Sequence, residues 1–192
     1  MDNLLAIAVG SIFVNNFVLF RFLGLCPFFG VSKKTSSALG MGLAVVFVMT
    51  CASAITWPVY TYLLLPFEIE FMRTVTFILV IAAFVQLVEM VIRKHQPSLY
   101  KALGIYLPLI TTNCAVMGVA LLNVEEGYSL IGSVVDGFSA GIGFTLALLL
   151  MSGIRERLEL VDVPQSFKGL PIAFISAALL ALAFMAFTGM RL

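Results

Sequence analysis

Residues 23–31 read LGLCPFFGV, and residues 111–119 read TTNCAVMGV. Both stretches are apolar, and in each a cysteine is followed four positions later by Gly and then Val. The two cysteines are Cys26 and Cys114. Each lies beside residues that interrupt helical order. The shared frame therefore predicts two related segments, each with a thiol at a break in an apolar helix.

The composition of the whole chain predicts a membrane protein. Of its 192 residues, 61% are hydrophobic and only 11% are charged, whereas a soluble domain carries roughly a quarter charged residues. Such a chain has too little polar surface to cover a globule in water, so we expect a lipid bilayer around it. The formal net charge is only +1, and nothing indicates a nucleic-acid partner.

Six apolar segments are long enough to cross a bilayer as helices. A crossing helix needs ~20 predominantly apolar residues. The strands of a transmembrane barrel would alternate polar and apolar residues, which these segments do not. We therefore predict an all-α integral membrane protein with six transmembrane helices. The segments are residues 3–20, 35–67, 71–92, 102–124, 130–154 and 169–190.

Basic residues in the connections predict the orientation. With six helices, the connections on one side hold nine Lys or Arg residues, and the other side holds two. Short basic loops resist translocation. We therefore predict that the basic side is cytoplasmic and that both termini lie on the outer side of the cytoplasmic (inner) membrane. The nine are Arg21, Lys33, Lys34, Arg93, Lys94, Lys101, Arg155, Arg157 and Lys168, and the two are Arg73 and Arg191.

Similar segments recur in the same order in the two halves of the chain. Besides the cysteine frames, GMGLAVVFVMT from Gly40 resembles GIGFTLALLLMS from Gly141. We predict a single membrane domain over residues 1–192, with repeat one at about 1–95 and repeat two at about 96–192. Three helices per repeat is an odd number, so the second repeat enters the membrane inverted. Functional sites in inverted repeats usually lie near the midplane. Chance similarity between apolar segments is the alternative explanation.

We expect the first helix of each repeat to be broken or half-length. Asn15 and Asn16 lie deep in the first apolar segment, ahead of the Cys26–Pro27 pair, and Pro108 precedes Cys114. Proline removes a backbone hydrogen-bond donor. Non-helical backbone at membrane depth is tolerated only where protein or a cavity covers it. The pattern predicts that Cys26 and Cys114 lie at the breaks.

Three roles remain open for these two thiols on the residues alone. They can be packing residues, they can form a disulfide, or they can bind a metal together. A disulfide is disfavoured for a cysteine near the cytoplasmic side. An iron–sulfur cluster is held by four thiolates, so this chain would supply half of the ligands and a second subunit the rest. Cys51 is predicted to be a packing residue, and the lone His95 a solvated one.

The cysteine segments also carry a family resemblance. VNNFVLFRFLGLCPFFGVSKK, LGIYLPLITTNCAVMGVALLN, GFSAGIGF, IRERLELVDVP and KGLPIAFISAALLALAFMAF resemble the A subunits of the Rnf complex, the ion-translocating ferredoxin:NAD⁺ oxidoreductase of bacterial and archaeal membranes. The similarity covers essentially the whole chain. The E subunits of the Na⁺-translocating NADH:quinone oxidoreductase share the cysteine frames and are the alternative family.

The resemblance implies a function. In that family the A subunit pairs with a homologous E subunit of opposite orientation, and their cysteines jointly hold a membrane-embedded [2Fe–2S] cluster. Carried onto this chain, the ligands are Cys26 and Cys114. The cluster relays electrons across the membrane, coupled to Na⁺ or H⁺ translocation, and the B, C, D and G subunits are further partners. The chain is then a non-autonomous subunit of a redox-driven translocase, with no catalytic residue of its own.

Beyond the cluster, we expect no other cofactor on this chain. No Gly-rich dinucleotide motif follows a strand, so NAD and flavin are expected on other subunits. Thr111, Thr112 and Asn113 are candidate hydrogen-bond donors to the cluster sulfurs. They can equally cap the broken helix.

Two charged residues inside the predicted spans are candidates for the ion path. Asp136 and Glu89 qualify because an ionisable residue within a membrane span is functional by default. Glu89 can instead pair with Arg93, one helical turn further on. Two other functions also fit broken helices in an inverted repeat: a secondary transporter with a midplane substrate site, and a passive scaffold subunit.

Overall fold

A computed structural model of the chain describes residues 4–95 and 107–186. The regular elements in these two ranges are all helices, and they include no strand, so the prediction of an all-helical protein is confirmed. The predictions that concern both termini and the start of repeat two lie outside the described residues.

The helices follow one another with short connections. Two of them continue into π-helical segments, and short 3₁₀ turns separate others. In chain order they are α1 (Leu4–Val9) with its π-helical continuation (Gly10–Val14), α2 (Leu25–Val31), α3 (Thr35–Val59) with its π-helical continuation (Tyr60–Leu64), a 3₁₀ turn (Glu70–Met72), α4 (Arg73–His95), α5 (Leu107–Thr111), α6 (Cys114–Glu125), α7 (Leu130–Leu158), a second 3₁₀ turn (Gln165–Phe167) and α8 (Leu170–Met185).

Three of the described helical segments are long and apolar enough to cross a membrane. Their outward faces are also apolar, since Leu43 of α3 and Leu79 of α4 are each more than 60% exposed. Leucines at such positions would be unfavourable in water but suit hydrocarbon. The three long segments are Thr35–Leu64, Glu70–Val91 and Leu130–Leu158, and the shorter apolar ones are Leu4–Val14, Leu109–Glu125 and Leu170–Met185.

The most extensive contact in the fold is between α3 and α7. Glycines line it: a Cβ added to Gly42 would lie 2.5 Å from Thr145 Cγ2, and a Cβ added to Gly141 would lie 2.7 Å from Val46 Cα. Gly137 faces Ser53 and the backbone of α3 in the same way. Because small residues let membrane helices approach closely, this pair forms the centre of the bundle.

The other helices pack around this central pair. α1 and its π-helical continuation lie against α7, and α6 lies against α3. α4 contacts α3, α5 and α6, and α8 contacts α7. At one end of the bundle, Trp57 Nε1 donates to the Tyr128 carbonyl at 2.8 Å, which joins the end of α3 to the connection before α7.

Candidate functional site

The first broken segment runs from Asn15 to Gly24. Helical structure ends at Val14, and Asn15 leaves it (φ −108°, ψ 46°) while its N–H still donates to the Gly10 carbonyl at 2.7 Å. Phe22 (φ 55°) and Gly24 (φ 78°) then adopt left-handed backbone conformations. Glycine adopts this conformation freely and other residues rarely do. These two residues turn the chain so that α2 begins at Leu25.

The buried side chain of Asn16 holds this segment in place. Its Nδ2 donates to the Gly143 carbonyl on α7 at 2.8 Å and to the Ile12 carbonyl at 3.2 Å. Its Oδ1 accepts from Val18 N at 3.2 Å and from Leu19 N at 3.4 Å. The amide therefore satisfies backbone groups that the interrupted helix leaves free, as a segment at membrane depth requires.

The second break is much shorter. α5 ends at Thr111 and α6 begins at Cys114. Between them Asn113 is extended (φ −69°, ψ 112°), and its Oδ1 caps α6 by accepting from Ala115 N at 3.0 Å. The Nδ2 of the same side chain is buried without a hydrogen-bond partner among the described residues. Thr111 is half-buried and Thr112 is exposed.

The prolines lie beside the breaks and not at them, which differs from the expectation from sequence. Pro27 is the third residue of α2, where a backbone N–H has no intrahelical acceptor and its absence does little harm. Pro108 lies within α5, which continues to Thr111. The structure attributes the interruptions to asparagine side chains and left-handed backbone.

The two breaks meet in space. The N–H of Gly24, in the first break, donates to Cys114 Sγ at 3.0 Å. A Cβ on Gly24 would lie 3.0 Å from Ala115 Cβ and 3.2 Å from Asn113 Oδ1. Cys26 follows close behind Gly24, in the first turn of α2. Both Cys26 and Cys114 are exposed. The structure thus brings the two cysteine segments together and leaves both thiols accessible on the surface of the chain.

The third cysteine occupies a different environment. Cys51 is half-buried inside α3. Across residues 4–95 and 107–186, no group of three or more His, Cys, Asp or Glu side chains is arranged to hold a metal ion. The backbone of His95 ends α4, and its side chain lies outside what the structure describes.

Asp136 lies buried in the bundle within a set of small polar side chains. Its Oδ1 accepts a hydrogen bond from Ser11 Oγ, in the π-helical continuation of α1. One turn earlier on α7, Ser133 is buried and its Oγ has no partner among the described residues. Asn123 donates from Nδ2 to Ser53 Oγ at 3.3 Å and to the Ser133 carbonyl at 3.4 Å, while its buried Oδ1 is unpartnered in this part of the chain.

The sequence predicted Asp136 as a candidate for the ion path, but it did not predict the small polar side chains around it. Isolated serines and an asparagine in an apolar run give no signal of their own, because only the packing of separate helices brings them together. Glu89, the other charged candidate, is half-buried on α4. That helix packs mainly against α3, α5 and α6, so the structure does not place Glu89 in the set around Asp136.

The long apolar helices and their lipid-compatible faces define a multi-pass helical membrane protein. The chain belongs to the family described as "Rnf-Nqr subunit, membrane protein", whose model matches residues 4–191. The family resemblance found in the sequence is therefore confirmed.

Several curated proteins are similar to this chain over nearly its whole length. The A subunit of an ion-translocating oxidoreductase complex from Syntrophotalea carbinolica is 58% identical over 190 residues, which cover 99% of this chain and 98% of that protein. The protein of the same name from Azoarcus sp. gives the same identity and coverage. The A subunit of a Na⁺-translocating ferredoxin:NAD⁺ oxidoreductase complex from Acetobacterium woodii is 57% identical over 189 residues, 98% of each chain.

Proposed function

We propose that this chain is the A subunit of an ion-translocating ferredoxin:NAD⁺ oxidoreductase and that Cys26 and Cys114 supply two of the four ligands of a shared [2Fe–2S] cluster. The observation that carries the proposal is the 3.0 Å contact between Gly24 N and Cys114 Sγ. It joins the two cysteine segments at a point where both thiols are exposed. The names of the relatives support the same assignment.

The residues at the two breaks fit an iron–sulfur half-site. Thiolates are the usual ligands of such clusters, and Cys114 begins the twelve-residue helix α6, whose N-terminus favours negative charge. The Gly24 N–H donates to the Cys114 sulfur, and hydrogen bonds of this kind tune a cluster's reduction potential. A bound [2Fe–2S] cluster would supply one-electron transfer within the membrane.

Asn113 is the strongest candidate for a further hydrogen bond at this half-site. Its Oδ1 already caps α6, but its Nδ2 is a buried donor without an acceptor among the described residues. An unsatisfied buried donor is costly, and a sulfur acceptor beside Cys114 would relieve that cost. Thr111 and Thr112 remain candidates for the same role.

The half-site implies a second subunit. Four thiolates are needed and this chain offers two, so a homologous E-type subunit of opposite orientation would bring the other pair. Large apolar side chains near the breaks would suit such a contact, and Phe20 is 42% exposed. Subunits of the B, C, D and G types would complete the complex.

The same proposal includes six membrane spans arranged as two inverted repeats, about 1–95 and 96–192. Its support is the order of elements: each half has a broken segment with its cysteine, then a long glycine-containing helix (α3 or α7), then a third helix. The excess of basic residues in one set of connections supports placing both termini on the outer side of the inner membrane.

For the ion path we propose Asp136 as a ligand, with Glu89 as a second candidate. Asp136 is buried. Ser133, one turn earlier on α7, and Asn123, which donates to the Ser133 carbonyl, each carry a buried oxygen with no partner among the described residues. Hard cations such as Na⁺ prefer oxygen ligands, and a proton can also reside on a carboxylate. Ser11 joins Asp136 to the segment that leads into the first break.

The deciding experiment is electron paramagnetic resonance on the purified complex, with iron and acid-labile sulfide measured on the same samples. We expect Cys26→Ser and Cys114→Ser each to remove the [2Fe–2S] signal of the membrane subunits and to stop electron transfer from ferredoxin to NAD⁺. Cys51→Ser is the matched control and should retain both.

The outcomes separate the candidate functions. A transporter or a scaffold protein would show no iron or sulfide dependent on these thiols, and a signal that persists in both serine variants would overturn the proposal. Reduction of quinone in place of NAD⁺ would instead assign the chain to the related quinone oxidoreductase.

A further inference from the structure

An apolar slot lies beside a cluster of basic side chains. The slot has a volume of about 140 Å³ and lies among the first break, α2 and α8. Its lining is apolar throughout and includes Val18, Phe28 and Ala178. Beside it lies a cavity of about 340 Å³ lined by Lys33 and Arg155.

The slot and the basic cavity are neighbours, and we call the two together the groove. Phe29 lines both of them, and its ring lies 4.3 Å from the ring of Phe174, which lines the slot. Leu170 of the basic cavity precedes Phe174 by one turn of α8. A third cavity, of about 160 Å³, shares Arg155 with the basic cavity and adds Lys168.

The charge at the mouth of the groove is positive. Lys33, Arg155 and Lys168 line it, and the only carboxylate in the described lining is the exposed Glu159. Arg155 is held at the wall because its Nη1 donates to the Phe29 carbonyl at 2.8 Å and to Ser32 Oγ at 2.9 Å. Within the described ranges, none of the three cations forms an ion pair.

We propose that this groove binds an anionic phospholipid, with the phosphate among Lys33, Arg155 and Lys168 and one acyl chain in the slot. Arginine and lysine are the residues that bind phosphate, and basic pockets between membrane helices bind anionic headgroups. Only apolar side chains line the slot, which suits a hydrocarbon chain. The proposal does not depend on the redox function.

The test uses phosphatidylglycerol with a photoreactive diazirine near the middle of one acyl chain, added to the intact protein in phosphatidylcholine vesicles. We expect cross-links at Phe174 and Ala178, located by mass spectrometry. Lys33→Gln with Lys168→Gln should lower the yield at these positions by about 25-fold, since each of the two interfacial cations contributes a factor of about five. With phosphatidylcholine that carries the same label, the unsubstituted protein should give a cross-linking yield no higher than the doubly substituted variant gives with phosphatidylglycerol.

Two further variants separate the headgroup from the acyl chain. Lys34→Gln with Arg157→Gln removes two charges, one just before α3 and one from the last turn of α7. Neither residue lines the groove, so the yield should stay within twofold of the original. Ala178→Phe fills the slot and should lower the yield with all charges intact. The proposal is wrong if the two double variants give equal yields, or if the two lipids label the protein equally. It is also wrong if benzoylphenylalanine, placed at position 174 in place of Phe174, cross-links to another polypeptide.

Discussion

The two breaks present a cysteine at the start of a helix in different ways. The first occupies residues 15–24 and uses two left-handed residues together with Asn16, whose amide bonds to α7 as well as to its own segment. The second occupies residues 112–113 and uses one capping asparagine, Asn113, which bonds locally. The two halves share the position of the thiol near the start of a helix, but the backbone that precedes the helix differs between them.

The first break depends more on contacts with the rest of the protein than the second break does. The first broken segment contacts α7 through Asn16 and the start of α6 through Gly24. The π-helical segment just before it contacts Asp136 through Ser11. The capping bond of the second break stays within its own helix end. We therefore expect substitutions in the first break to affect the whole bundle, and those in the second to act mainly on the start of α6.

The largest effect is expected from substituting Asp136, whose carboxylate accepts a hydrogen bond from Ser11. Asp136→Asn keeps the shape of the side chain and an acceptor for Ser11, but it removes the charge that an ion would need. We expect Na⁺ or H⁺ uptake into vesicles, driven by electron transfer from ferredoxin to NAD⁺, to fall by roughly tenfold or more. The exposed Asp162 gives the control Asp162→Asn. Equal uptake rates in the two variants would remove Asp136 from the ion path.

A smaller effect tests the contrast between the two asparagines directly. Asn16→Ala leaves the buried N–H groups of Val18 and Leu19 without their acceptor, so we expect a loss of about 2–4 kcal/mol in the free energy of unfolding. Asn113→Ala removes a single helix cap, which is worth about 1 kcal/mol. Unfolding in detergent, followed by circular dichroism, measures both. Equal losses would show that the two breaks depend equally on their asparagines.

The smallest effect compares the glycines that follow each cysteine by four positions. A Cβ on Gly30 meets nothing within 4 Å, whereas one on Gly118 would lie 2.6 Å from Leu23 Cδ1 in the first break. Gly30→Ala should stabilise α2 by up to about 1 kcal/mol. Gly118→Ala gains similar helix propensity, but the end of the Leu23 side chain has to move, so we expect a net change close to zero. The same unfolding measurement applies, and equal stabilisation by the two substitutions would contradict the contrast.

Much of the fold was accessible from the sequence because lipid imposes simple rules. Composition and the apolar segments identified a helical membrane protein, and the cysteine frames located the interruptions close to Cys26 and Cys114. These predictions depend only on hydrophobicity along the chain and on the residues next to the thiols. The long helices α3, α4 and α7 accordingly fall within predicted segments at most of their residues.

The details of the site could not be predicted from the sequence in the same way. Hydropathy does not reveal a helix that ends inside an apolar segment, and the segment 3–20 stops being helical at Val14. Nothing in the sequence marks Phe22 as left-handed. The bonds from Asn16 to Gly143 and from Ser11 to Asp136 join residues far apart in sequence, and only the packed bundle makes them neighbours.

The glycine-lined contact between α3 and α7 also has a mechanical consequence. Two helices that touch where Cβ atoms are missing cannot slide along each other by one residue without forcing a side chain into the opposite backbone. We therefore expect this pair to move as one rigid unit. We expect changes of shape to come from hinging of the interrupted segments and from displacement of the peripheral helices α4 and α8.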